Sequence, residues 1–142
     1  MSILDIRTED SGYKTTRTVI VYLCFSIFAF VVNKVYALFG HGVSSAAMTW
    51  MFLYPLLGGG LLYLLLGLLL PRLNRLVGYR LFYNSYNAGI ALLTVGSLLQ
   101  GIMEIAGTSS PYLKGYDLLG YAMTGIGILL LLLLGSNYKR LA

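Results

Sequence analysis

The chain has 142 residues, 58% of them hydrophobic and only 11% charged, where a soluble domain averages about 25% charged. That length suits one domain, and a water-soluble fold this small could not bury so much apolar surface. The net charge is +5, and a lone cysteine, Cys24, excludes an intramolecular disulfide and any metal site built on cysteines.

Residues 1–17 carry Asp5, Arg7, Glu9, Asp10, Lys14 and Arg17 and read as a polar tail. The apolar run after them is too long for a signal-peptide core and lacks a small-residue cleavage site, so it is expected to be retained as a first membrane helix. A bilayer core of about 30 Å needs about 20 apolar residues in a helix. Four runs qualify, at 18–39, 47–70, 82–106 and 118–136. The expected fold class is all-α: a polytopic membrane protein forming one four-transmembrane-helix bundle over 18–142.

The first run contains Cys24, read as a small apolar filler, and near its far end Asn33 and Lys34. Gly40-His41-Gly42 with Ser44-Ser45 punctuates it; a single histidine without nearby carboxylates is read as an ordinary loop residue. The second run has Pro55 followed by Gly58, Gly59 and Gly60. These are hinge candidates, the expected site of a kink or unwound segment, with a tight helix crossing as the alternative. Pro71-Arg72 ends this run.

The third run is the most polar. Asn84, Asn87, Thr94, Ser97, Gln100 and Glu104 trace a slowly drifting stripe at about 100° per residue. Polar groups facing lipid are costly, so the stripe should face protein or a cavity and the third helix should be the most buried. The fourth run opens with Gly120, Gly125 and Gly127 and continues as leucines to Leu134, a surface expected to face lipid or another protomer.

Orientation follows from the basic residues. Arg7, Lys14, Arg17, Arg72, Arg75, Arg80, Lys139 and Arg140 fall on one side, and only Lys34 and Lys114 on the other. Both termini are therefore expected in the cytoplasm, in a bacterial-type inner or plasma membrane. Tyr83 and Tyr86 at the start of the third helix, Tyr112 and Tyr116 at the start of the fourth, and Trp50 fit interfacial aromatic belts. Tyr54 and Tyr63 lie deeper and need hydrogen-bond partners. An offset of 67 residues sets Tyr54 on Tyr121, Gly58 on Gly125 and Gly60 on Gly127, which raises a tandem helical-hairpin repeat as a possibility.

Lys34 and Glu104 lie at comparable depth, with Asn33 and Gln100 at the same level. The four are the candidate ligand-binding residues, against a reading in which Lys34 snorkels and Glu104 sits among headgroups. No catalytic set, metal cluster or phosphate-binding glycine loop is recognisable, and no cofactor or nucleic-acid partner is expected. The expected function is that of a non-catalytic membrane protein binding a ligand, lipid or protein partner. Membrane lipids are the first expected partners, followed by a homo-oligomer or a partner membrane protein. The alternative is an oligomeric small-molecule or ion transporter or channel using the stripe of the third helix.

Overall fold

The computed structural model describes the backbone of residues 3–71 and 73–141, and the side chains of 14–71 and 73–137. The described chain is helical: α1 (Ile3–Phe39), α2 (Ala46–Trp50), a π-helix (Tyr54–Leu61), α3 (Leu62–Leu69), a 3-10 turn (Leu73–Arg75), α4 (Tyr79–Ile105) and α5 (Leu113–Leu141). Four segments are long and apolar enough to cross a membrane: Lys14–Phe39, Ala46–Leu69, Tyr79–Ile105 and Leu113–Asn137. They coincide with the four runs read from sequence. The change of composition at residue 17 is not a break in structure, because α1 continues through it.

The helix ends are chemically marked. Beyond α1 the chain turns through His41 (φ 49°) and Gly42 (φ 89°). Ser45 then caps α2, its Oγ accepting from the Met48 amide at 3.2 Å. α4 stops on Gly107 at φ 69°, with the Thr108 amide bonded to the Met103 carbonyl and the Gly107 amide to that of Glu104. This pair of bonds with a left-handed glycine is the Schellman ending, which satisfies two carbonyls the helix would otherwise leave open.

The second apolar segment is not a uniform α-helix. Pro55 has no amide proton to give the carbonyl of Met51, which accepts instead from the Tyr54 amide at 3.3 Å. The turns then widen into the π-helix over Tyr54–Leu61, whose sequence is YPLLGGGL. The irregularity expected at Pro55, Gly58, Gly59 and Gly60 is thus a π-helix, and it also carries close crossings. A Cβ on Gly58 would lie 2.6 Å from Ile90 Cδ1 of α4, and one on Gly59 would overlap the ring of Tyr22 of α1.

α4 is the most buried of the four, with 33% of its apolar window buried against 22% or less in the others. It packs along its whole length on α5, antiparallel, on a seam of small residues. A Cβ on Gly89 would overlap Thr124 Oγ1, one on Gly96 would lie 2.8 Å from Tyr116 Cβ, one on Gly120 2.8 Å from Leu93 Cγ, and one on Gly127 2.8 Å from Tyr86 Cα. Gly89 and Gly96, like Gly120 and Gly127, are seven residues apart, which keeps each pair on one seam. The glycines matched by the 67-residue offset do not pack alike: Gly58 meets Ile90, whereas Gly125 meets nothing within 4 Å.

Two clusters form the interior. Tyr63, Leu73, Phe82, Tyr86, Ile90 and Leu134 are buried together at the end of the molecule nearer the 3-10 turn, and Ala29, Met48 and Met51 at the other end. Tyr86 therefore does not serve the aromatic belt expected for it. It is 4% exposed, and its hydroxyl donates to the Gly58 carbonyl at 2.6 Å. Trp50 and Tyr112 are exposed, as belt residues would be. So are Leu129, Leu132 and Leu133 on α5.

Candidate functional site

The structure divides the expected site residues among three places. Glu104 and Gln100 come together at the end of α4, where Gln100 Nε2 donates to Glu104 Oε1 at 3.0 Å. Ser45 Oγ donates to Glu104 Oε2. The carboxylate thus ties the capping residue of α2 to α4. Lys34 is elsewhere, its ammonium 5.3 Å from the ring of Phe30 on its own helix. Among the described residues no hydrogen bond or ion pair joins Lys34 or Asn33 to the Glu104 group.

Of the rest of the stripe, Asn87 and Ser97 hold helices together and Asn84 and Thr94 do not. Ser97 Oγ donates to the Ala47 carbonyl at 2.7 Å, and Thr94 Oγ1 to the Ile90 carbonyl of its own helix at 2.8 Å. Asn84 is exposed. Asn87 is the junction of three segments: its Oδ1 accepts from Tyr22 of α1 at 2.5 Å and from Tyr63 of α3 at 2.7 Å. The two rings stack with centroids 5.7 Å apart. Tyr63 thereby has the partner its depth requires.

Beyond this junction a laterally open groove of about 490 Å³ lies between α1 and α4. Its floor is Met51 and Pro55, the entrance to the π-helix. One wall is Val21, Phe25, Phe28 and Val32 of α1; the other is Ile90, Ala91, Val95 and Leu98 of α4. Arg17 and Tyr83 stand at one end, Tyr22 and Asn87 about one turn further in. From Arg17 to Val32 the α1 wall measures about 22 Å at 1.5 Å per residue. The volume lies in the range of about 300–1,000 Å³ found for small-molecule sites. Phe25 and Phe28 are 60% and 64% exposed, so the walls face outward to the side rather than into an enclosed lumen.

The groove is therefore long and mostly apolar, with Arg17, Thr18, Tyr22, Tyr83 and Asn87 toward one end and Thr94, whose hydroxyl is bonded to its own helix, the one polar residue farther along. Of the lining residues the sequence singled out Asn87 and Thr94 of the stripe, Pro55 as a hinge candidate and Tyr83 as a belt residue. Arg17 counted there only as a topology charge. Tyr22, Phe25, Ala29 and Val32 recur every three or four residues on one face of α1, a signal that was present but did not say which helix the face meets. No family model, curated protein or solved structure matches the chain.

Proposed function

We propose that this chain is a multi-pass membrane protein with both termini in the cytoplasm, and that it binds a lipid-like amphiphile, without catalysis, in the groove between α1 and α4. The observation that carries this reading is the groove itself: apolar walls about 22 Å long, opening sideways, with Arg17 and Tyr83 at one end. Such a cleft accepts a hydrocarbon chain from the surrounding bilayer while its head stays at the polar end. The cytoplasmic placement of Arg17 rests on the distribution of basic residues.

Transport along the α4 stripe has less support. Thr94, Ser97, Gln100 and Glu104 each have a hydrogen-bond partner within the protein: Ser97 and Glu104 bond to the segment around α2, and Thr94 and Gln100 bond within α4.

Ala91 is exposed and stands in the groove wall, so a large side chain there fills the cleft without displacing the interior. Native mass spectrometry of the gently extracted protein should show a bound lipid-sized ligand that Ala91→Trp removes. Retention of the same ligand by that variant would place the binding elsewhere and overturn the reading.

A further inference from the structure

Inside a bilayer an acyl chain gains little by moving from neighbouring chains onto apolar walls, because both surroundings are equally apolar. Selectivity in the groove must therefore come from its few polar groups, and their chemistry and spacing restrict the occupant. Building on the lipid-binding reading above, we infer that the groove selects an anionic glycerophospholipid of the leaflet on the Arg17 side, with its phosphate on Arg17 and an acyl ester carbonyl on the side-chain amide of Asn87.

Asn87 supplies the first reason. Its Oδ1 already accepts from two tyrosine hydroxyls, which fixes the orientation of the amide and leaves its Nδ2 to donate. Among the described residues no acceptor takes that donor, and Asn87 lines the groove. A donor in an apolar cleft needs an acceptor, and an ester carbonyl is the acceptor a membrane lipid carries.

The depth of the groups supplies the second. Asn87 lies four residues beyond Tyr83 on α4, and its partner Tyr22 lies five beyond Arg17 on α1. At about 1.5 Å per residue these offsets set the Asn87–Tyr22 level about 6–7.5 Å deeper than the Arg17–Tyr83 level. In a glycerophospholipid the glycerol backbone sets the ester carbonyls about one helical turn below the phosphate, a matching separation. A free fatty acid offers one acceptor group and cannot serve both positions. A lipid without a phosphate leaves Arg17 facing the cleft without an anion, and guanidinium is well suited to paired bonds to phosphate.

Charge supplies the third. Lys14, Arg17, Arg75 and Arg80 fall on the same side as this end of the groove, and the basic residues of that side outnumber its acidic ones, Asp5, Glu9 and Asp10. A choline headgroup would bring its own cation there, whereas a net-negative headgroup would not.

The test uses the full chain in detergent, titrated by native mass spectrometry with lipids of identical chain length. The probes are diacyl phosphatidylglycerol, diacyl phosphatidylcholine, the dialkyl ether form of phosphatidylglycerol and palmitate. Wild-type protein should prefer the diacyl anionic lipid over each of the others by about fivefold or more, the factor that corresponds to about 1 kcal/mol per basic side chain at a membrane surface. Arg17→Gln should reduce the preference over phosphatidylcholine about fivefold while one lipid still binds. Asn87 supports two tyrosines and its variants risk misfolding, so the ester contact is read on wild-type protein from the ether lipid. Equal binding of ester and ether lipids, or a headgroup preference unchanged in Arg17→Gln, overturns the assignment. If Ala91→Trp abolishes binding of all four probes in that event, the groove reading survives without it. If Ala91→Trp leaves phosphatidylglycerol bound, both fall.

Discussion

At the scale of single residues, several side chains have surroundings that fix the sign of a substitution. Gly127 sits against the backbone of Tyr86, whereas Gly125 has nothing within 4 Å of a Cβ. Gly127→Ala should therefore lower stability by about 1–3 kcal/mol through overpacking. Gly125→Ala should raise it by up to about 1 kcal/mol through helix propensity. Thermal unfolding in one detergent compares the two directly. Gly59→Ala should resemble Gly127→Ala, since the Tyr22 ring that a Cβ would strike is itself held by Tyr63 and Asn87. Ser26 is buried with no partner for its hydroxyl among the described residues. Ser26→Ala should leave the melting temperature unchanged or raise it, because an unsatisfied buried hydroxyl costs about 1–3 kcal/mol. Both oxygens of Glu104 are occupied by Ser45 and Gln100. We accordingly expect Glu104→Gln to cost about 1 kcal/mol of stability and to leave lipid binding intact; loss of the bound lipid in that variant would return Glu104 to the ligand site.

At the scale of elements, the π-helix is the feature that sets the second segment apart. Widened turns of this kind recur where a helix serves a function, and here the segment begins under the groove at Pro55. The Tyr86 hydroxyl on the Gly58 carbonyl holds that turn from a neighbouring helix. Tyr86→Phe should therefore speed amide hydrogen exchange across 58–63 and leave α5 unaffected; uniform acceleration everywhere would mean the bond supports the whole fold instead. The sequence made the four helices legible through uninterrupted apolar runs, and Pro55 with its three glycines marked where the second would be irregular. The π form was not legible, because one of its supports comes from a ring 28 residues away. For Asn87 the sequence showed a polar residue needing company but not that Tyr22 and Tyr63 would supply it. The groove was least legible of all: it is lined jointly by α1, α4, Met51 and Pro55, a relation between segments that no local pattern encodes.

At the scale of the whole molecule, the chain divides into a tightly packed α4–α5 hairpin and a looser N-terminal half leaning on it through Tyr22, Tyr63, Gly58 and Met48. Phe28, Leu68, Leu118 and Leu132 are among many large apolar side chains left exposed. Hydrocarbon surroundings would solvate such a surface, which is the physical basis for the proposed membrane placement. The proposed orientation can be read by fusing a fluorescent protein that folds only in the cytoplasm to the C-terminus. Fluorescent cells are expected, and dark cells containing full-length fusion would reverse the topology. The Asn87 junction has a consequence for biogenesis under this placement. Tyr63 leaves the ribosome 24 residues, and Tyr22 65 residues, before the acceptor they share. At about 5–20 residues per second, those hydroxyls wait from about one second to more than ten. Through that interval neither hydroxyl can reach its final acceptor, so the arrival of Asn87 is one of the steps that join the early helices to the late ones.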